Sequence, residues 1–206
     1  MSALDPARLM RFILDLRQSG VTDAKTLAAI ERTPRAHFAP AHLQSLALED
    51  RDLPLPHGQT MTRPALAARV VAALDIAPTH SVLEIGTGSG YQAAVIARLA
   101  RKVATLDRWA DLVTAARARI GEARLMNVAL HWRDGADGFG DGAPYDRIVI
   151  NADIAALPDA LRAQATDDAV IAAPMRGRLM RWRAGACEDL GPAPFAPIAH
   201  GLGVPE

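Results

Sequence analysis

Apolar residues recur every three or four positions near the start of the chain, which is the spacing of one face of a helix. Leu9, Phe12 and Leu16 place such a face on a predicted helix over residues 5–18. Similar patterns predict two further helices, over residues 23–32 and 38–48. The pattern is lost over residues 49–63, where prolines and a glycine predict an extended connector.

From residue 64 onwards, short apolar runs alternate with helical patterns. The predicted strands cover residues 81–85, 102–107, 127–132, 145–150, 169–173 and 179–182, with an edge strand at 195–198. The predicted helices cover residues 64–74, 91–100, 110–120 and 157–164. Strands that alternate with helices form a mostly parallel sheet with helices on both faces. The sequence therefore predicts an α/β fold, with a helical extension and connector over residues 1–63 and a compact core over residues 64–206.

Composition narrows the functional classes. The chain has 206 residues, half of them hydrophobic, and equal numbers of basic and acidic residues, 23 of each. Without a basic excess, neither nucleic acid nor a membrane surface is an expected partner. The single cysteine, Cys187, excludes an internal disulfide and a cysteine-based zinc site, and the histidines show no metal-ligand spacing. We expect a cytoplasmic monomer with no resident metal.

The most informative stretch joins a predicted strand to a predicted helix through three alternating glycines, Gly86, Gly88 and Gly90. Glycines allow a sharp turn and let a ligand approach the backbone closely. The dinucleotide fingerprint needs glycine at the position of Tyr91, so a dehydrogenase is disfavoured. The loop, with Glu84 just before it, resembles motif I of S-adenosylmethionine (SAM) methyltransferases. A different nucleotide site or a purely structural turn are the alternatives.

Polar residues follow several of the predicted strands, at the sheet edge where α/β folds bind ligands. Asp107 ends the second core strand and is placed to accept hydrogen bonds from a ribose; it could also cap the helix that follows, and both roles can hold. Asp134 and Gly135 follow the third strand, where methyltransferases place the adenine, although Asp-Gly is also a common turn. Asn151 and Asp153 follow the fourth strand, near the expected methyl group; Asp153 could equally cap the next helix.

The connector is rich in polar side chains between breakers: Pro54-Leu55-Pro56-His57-Gly58-Gln59-Thr60-Met61-Thr62-Arg63-Pro64. It could fold over the cofactor as a lid or remain a solvated linker. It resembles the Pro-Ile-Gly-His-Gly-Gln-Thr-Ile-Ser-x-Pro signature of the protein-L-isoaspartate O-methyltransferase family. Further resemblance lies at Val82–Ala94, Glu31–Arg35 and Pro144–Ile148, so the likeness runs from about residue 10 to about residue 160.

The resemblance implies a Rossmann-like three-layer sandwich that uses SAM to methylate the free carboxylate of L-isoaspartyl residues in damaged proteins and peptides. The implied cofactor-binding residues are Glu84, Gly86, Thr87, Gly88, Gly90, Asp107, Arg108, Asp134 and Gly135. Thr62 stands where the family usually has its active-site serine. The substrate-side candidates are His57, Gln59, Thr60, Asn151 and Asp153.

Several positions depart from the family pattern. Pro56 replaces a glycine, Asn151-Ala152-Asp153 replaces Thr-Ala-Ala, and Asp167-Asp168 replaces a glycine pair. These changes lie beside the expected substrate region. They keep open a diverged SAM-dependent carboxyl methyltransferase with another substrate, or an inactive SAM-binding scaffold.

Overall fold

The computed structural model describes residues 6–204, so residue 5, predicted to begin the first helix, lies outside the described part. The helices are α1 (Pro6–Gln18), α2 (Ala24–Glu31), α3 (Arg35–Phe38), α4 (Pro64–Ala73), α5 (Tyr91–Ala97), α6 (Ala110–Glu122) and α7 (Asp159–Ala163). Short 3₁₀ turns cover Ala41–Leu46, Pro56–Gly58 and Gly140–Gly142. Of the helices within residues 6–204, none has the length and apolar character that a membrane crossing requires.

Within residues 6–204, nine strands accompany these helices. They are β1 (Leu53–Pro54), β2 (Thr60–Met61), β3 (Ser81–Ile85), β4 (Lys102–Asp107), β5 (Val128–Trp132), β6 (Tyr145–Ile150), β7 (Ala165–Met175), β8 (Arg178–Arg183) and β9 (Ala186–Pro192). β1 and β2 form a separate antiparallel pair, and the other seven form one sheet in the order β5-β4-β3-β6-β7-β8-β9. The strands β5, β4, β3, β6 and β7 run parallel to one another. β8 pairs antiparallel with β7, and β9 pairs antiparallel with β8.

The strand order reverses at β3. The chain passes from β3 to β4 on one side, and β6 later returns to the other side of β3. Ligands of open α/β sheets bind at such a reversal, outside the carboxyl ends of the strands. The fold thus places the loop that follows Ile85 at the centre of the expected site, and the predicted α/β class is confirmed.

Both faces of the sheet are covered. Every residue of β3 is buried, with Val82 packing into one apolar cluster and Leu83 and Ile85 into the other. The first cluster continues through α4, α5 and α6 into the N-terminal helices, where Phe12 and Phe38 are buried. The N-terminal helices therefore share a hydrophobic core with the sheet.

The helix predicted over residues 38–48 is wrong. α3 ends at Phe38, Ala39 is extended at φ −79° and ψ 151°, and a 3₁₀ turn then begins at Ala41. Pro40 explains the break, because a proline disfavours helical geometry in the residue before it and has no N–H for the helix ladder.

The C-terminal part also differs from the expectation. The edge strand is β9, over Ala186–Pro192, and it pairs with β8. The strand predicted at residues 195–198 is wrong: only an isolated bridge joins Pro197 to Asp153. Pro197 lacks the N–H that a strand ladder needs. β9 is mostly exposed, so it lacks the apolar alternation by which a strand is found in a sequence.

Phe38 should be essential to stability because its ring is fully buried and lies edge-on to Tyr91 at the start of α5, with 5.9 Å between ring centroids. We expect Phe38→Ala to lower the free energy of unfolding by about 3–5 kcal/mol through lost burial and a cavity. Met10→Ala, at an exposed position of α1, is the control and should change it by less than about 0.5 kcal/mol. Urea denaturation measures both, and equal effects would contradict the shared core.

Candidate functional site

Two adjoining cavities lie at the carboxyl ends of β3, β4 and β6. The larger has a volume of about 270 Å³ and the smaller about 120 Å³. The connector forms part of the wall of the larger, and the residues that follow β5, together with the C-terminal tail, form part of the wall of the smaller. Both are lined by Gln59, Gly86, Asp107, Asn151 and Ala196. Together they form one cleft with two compartments.

The three loop glycines have distinct reasons to be glycine. All have positive φ, of 93° at Gly86, 52° at Gly88 and 84° at Gly90. A Cβ on Gly90 would lie 3.0 Å from Ala116 Cβ in α6, and one on Gly86 would lie 3.1 Å from Asn151 Cβ. At Gly88 a Cβ would meet only ordinary contacts, so the backbone conformation and the larger cavity beside it require glycine there.

Asp107 connects the glycine loop to β4. One carboxylate oxygen accepts a 2.8 Å hydrogen bond from the Gly88 N–H, and the other accepts a 3.0 Å bond from the Trp109 N–H. Burial raises the pKa of the carboxyl, while the N–H groups of Gly88 and Trp109 oppose that shift. Asp107 does not cap α6, whose N-cap is Trp109, so the capping alternative is wrong.

Three more cofactor candidates line the smaller cavity: Arg108, Asp134 and Gly135. Asp134 accepts hydrogen bonds from Ala136 N at 2.9 Å and from Gly201 N at 2.5 Å, so the turn interpretation and a place in the cavity wall both hold. A Cβ on Gly135 would lie 2.5 Å from Ile85 Cγ2, which requires glycine there.

Beneath the glycine loop lies a buried polar network. Glu84 is fully buried and accepts hydrogen bonds from the Thr105 hydroxyl at 2.6 Å and the Asn151 amide at 3.3 Å. The Thr87 hydroxyl bonds to Thr105 at 2.7 Å, and Gln92 donates to Asn151 at 2.8 Å. Glu84 thus supports the loop from behind and does not reach the cleft, whereas Thr87 belongs to both the network and the wall of the larger cavity.

Asn151 and Asp153 have different surroundings. Asn151 lines both cavities, but its amide is engaged by Glu84, Gln92 and the Gly86 carbonyl, to which it donates at 3.0 Å. Asp153 lines neither cavity. Its side chain accepts from Gly177 N and its backbone pairs with the tail at Ala196 and Ile198. Asp153 does not cap α7, whose N-cap is Pro158.

The connector lies over the glycine loop, so the solvated-linker alternative is wrong. Gln59, Thr60 and Thr62 line the larger cavity. His57 does not line it: its ring stacks on Trp109 with 3.8 Å between centroids, and its Nε2 lies 2.8 Å from an Asp111 carboxylate oxygen. His57 therefore anchors the connector to the start of α6.

The sequence does not predict two parts of the site. The tail contributes Pro194, Phe195 and Ala196 to the larger cavity, and nothing in the local sequence signals this role. Arg35 is only 1% exposed and donates to the carbonyl of Thr62 at 2.8 Å. Its position after Pro34 suggested no more than family likeness, because the burial of an arginine depends on tertiary packing.

A sequence model of the protein-L-isoaspartate(D-aspartate) O-methyltransferase family matches residues 8–181. The chain belongs to this family. A relative from Maricaulis maris, named protein-L-isoaspartate O-methyltransferase, is 43% identical over 85% of this chain and 82% of its own length. Another of that name, from Ruegeria pomeroyi, is 39% identical over 98% of this chain and 99% of its own length. The protein-L-isoaspartate O-methyltransferase family uses SAM as methyl donor.

Two solved structures share the fold. A protein-L-isoaspartate O-methyltransferase superposes with a TM-score of 0.82 at 21% identity, over 95% of this chain and 67% of that chain. A structure from Plasmodium falciparum, described as a beta-aspartate methyltransferase in complex with S-adenosyl-L-homocysteine, gives 0.78 at 17% identity, over 92% of this chain and 97% of that chain. Both show that the Rossmann-like methyltransferase fold spans nearly the whole chain.

Gly88→Val tests the loop. Valine strains a backbone with φ of 52° and puts a branched side chain at the cavity wall, so we expect it to abolish binding of S-adenosyl-L-homocysteine while the protein stays folded. Asp107→Ala should weaken binding by roughly 1.5–3 kcal/mol, as for a lost charged hydrogen-bond acceptor. Calorimetry measures both, and normal binding by Gly88→Val would refute the assignment of the loop.

Glu84 should make stability depend on pH. Burial raises the pKa of its carboxyl from 4.5 to about 7, although hydrogen bonds from Thr105 and Asn151 oppose the shift. The folded state therefore holds this proton more tightly than the unfolded chain. The resulting stabilisation is complete below the unfolded pKa and is lost as the pH rises through about 7.

Glu84→Gln, which mimics the protonated acid, should remove that dependence. Relative to the variant, the wild-type free energy of unfolding should fall by roughly 3 kcal/mol between pH 4.5 and 7.5. Urea denaturation at several pH values measures the difference, and parallel pH profiles for the two proteins would show that folding does not raise the pKa of Glu84.

Proposed function

We propose that this protein transfers the methyl group of SAM to the free carboxylate of L-isoaspartyl residues in damaged proteins and peptides. The observation that carries the proposal is the position of the connector. Its segment Gln59–Thr62, which bears the family's signature, forms the wall of the larger cavity beside the glycine loop. Some of the residues expected to hold the donor therefore share one compartment with some of those expected to meet the acceptor: Gly86, Thr87, Gly88 and Asp107 with Gln59, Thr60, Thr62 and Asn151.

The described residues fit SAM. The smaller cavity, lined by Asp134 and Gly135, suits the adenine, and Asp107, which borders both cavities, suits the ribose hydroxyls. The glycine loop contributes Gly88 to the wall of the larger cavity. Bound there, SAM supplies an electrophilic methyl group on a sulfonium centre.

The acceptor needs no general base. A free α-carboxylate has a pKa of about 3.5 and is ionised at neutral pH. Catalysis then consists of orienting one carboxylate oxygen in line with the methyl group and excluding water. Thr62 suits the orienting role: it is half-buried in the cavity wall, and within residues 6–204 its hydroxyl has no protein hydrogen-bond partner.

The departures from the family pattern lie mainly outside the larger cavity. Asp153 holds the tail, Asp167 and Asp168 lie exposed in β7, and Pro56 does not line the cavity. The Asn151 amide is engaged inside the protein. These positions therefore give little support to a diverged substrate or to an inactive scaffold. We expect the protein to act as a cytoplasmic monomer on protein and peptide substrates.

An assay with labelled SAM and matched isoaspartyl and aspartyl peptides tests the proposal. We expect methyl transfer to the isoaspartyl peptide alone, because only in that peptide is the α-carboxylate of the aspartyl residue free. Transfer to neither peptide, with SAM still bound, would favour the inactive scaffold. Transfer to another carboxylate only would favour a diverged substrate.

Thr62→Val, which is nearly isosteric, tests the role of the hydroxyl. Loss of one neutral hydrogen bond predicts a methylation rate about 2- to 12-fold lower, with SAM affinity almost unchanged. Thr62→Ser keeps the hydroxyl and should retain or raise activity. Single-turnover rates on an isoaspartyl peptide decide whether the hydroxyl orients the substrate or has only a structural role. Equal rates for Thr62→Val and wild type would make Thr62 a structural residue.

A further inference from the structure

Arg35 is a buried cation beneath the active-site wall. It begins α3 and is 1% exposed. Its Nη1 donates to the Ala47 carbonyl at 2.7 Å, and its Nη2 donates to the carbonyls of Met61 at 3.3 Å and Thr62 at 2.8 Å. One guanidinium thus joins the end of the 3₁₀ turn to the chain segment that carries Thr62.

No salt bridge among residues 6–204 involves Arg35, and its buried Nε has no hydrogen-bond partner. Burial lowers the pKa of the guanidinium, although Tyr91, whose ring lies 5.7 Å away, and Asp52 oppose that shift. A buried charge without a paired carboxylate is costly, and apolar packing would stabilise the fold more simply. The cost points to a role beyond stability.

The peptide group between Thr62 and Arg63 is held at both ends. Arg35 donates to its carbonyl, and the Arg63 N–H donates to an Asp52 carboxylate oxygen at 2.7 Å. This fixes the backbone immediately after Thr62, from which the hydroxyl takes its direction. A rigid guanidinium plane with several donors can hold two successive carbonyls of the connector and a third from another segment, whereas a lysine cannot span them in the same way.

We propose that Arg35 is a positioning residue for methyl transfer: by holding the carbonyls of Met61 and Thr62, it orients the Thr62 hydroxyl towards the substrate carboxylate. The inference rests on the proposed function. Arg35 itself does not line the cavity and acts only through Thr62. Its loss therefore removes the benefit of the Thr62 hydroxyl, while the glycine loop and Asp107 keep their geometry.

Arg35→Met, which keeps most of the side-chain length and removes the donors, is the test variant. Arg147→Met is the matched control, because Arg147 is 6% exposed, donates to the carbonyls of Asp75 and Asp146, and lines neither cavity. At a temperature where both variants are folded, we expect Arg35→Met to slow single-turnover methylation by about 2- to 12-fold, the factor expected for loss of the Thr62 hydroxyl itself, because Arg35 acts only through that hydroxyl. Affinity for S-adenosyl-L-homocysteine should change less than about twofold in both, and the rate of Arg147→Met should stay near wild type.

A double-mutant cycle with Thr62→Val separates positioning from stability. Thr62→Val should lower the methylation rate by about 2- to 12-fold in the wild-type background but by less than about twofold in the Arg35→Met background. In the latter the hydroxyl is already misdirected, so removing it takes away no rate enhancement. In the Arg147→Met background the Thr62→Val factor should match that in wild type. Equal factors in all three backgrounds, or a wild-type rate for Arg35→Met, would overturn the inference.

If Arg35→Met does not fold, the same double-mutant cycle is measured with Arg35→Lys. It keeps the charge but reaches fewer carbonyls, so we expect an intermediate rate and a reduced Thr62→Val factor; an undiminished factor would overturn the inference. The wild type reports on the proposed function separately. If it fails to methylate isoaspartyl peptides, the proposed function is wrong. If it succeeds and the cycle shows no coupling, only the role of Arg35 is wrong.

Discussion

The hydrogen bond from the Gly88 N–H to Asp107 joins the two parts of the chain on which the cleft depends. It fixes a left-handed loop after β3 to the carboxyl end of β4, at the point where the strand order reverses. The Glu84 network holds the same loop from below, and His57 brings the connector onto α6 beside it. The glycine loop and the connector are thus both held at one rigid edge of the sheet, as catalysis by positioning requires.

The sequence predicted those elements whose formation depends on local pattern. The bounds of β3 and β6 agree with the apolar runs at residues 81–85 and 145–150, because central strands of a parallel sheet are buried on both faces. The alternating spacing of the three glycines predicts the loop, and the place of Asp107 at the end of a predicted strand puts it at the same edge of the sheet. The family signature located Thr62, which the structure places in the wall of the larger cavity.

The features of the fold and of the site that the sequence did not predict depend on contacts between distant parts of the chain. Pro40 ended a helix that apolar spacing favoured, and β9 formed on an exposed edge without an apolar alternation. Neither the burial of Arg35 nor the inward direction of Glu84 follows from neighbouring residues. Both depend on what packs around them, namely the connector over Arg35 and the carboxyl end of β6 over Glu84.

The β8–β9 hairpin affects which other chains can associate with this protein. Within residues 6–204, no strand pairs with the outer edge of β9. Such edges recruit other extended chains unless charge or proline blocks them. Here Arg178 pairs with Asp189, Arg181 pairs with Glu188, and the strand ends at Pro192. Aged, partly unfolded proteins expose many strand-forming segments. A charged edge of this kind discourages such segments from adding to the sheet and aggregating.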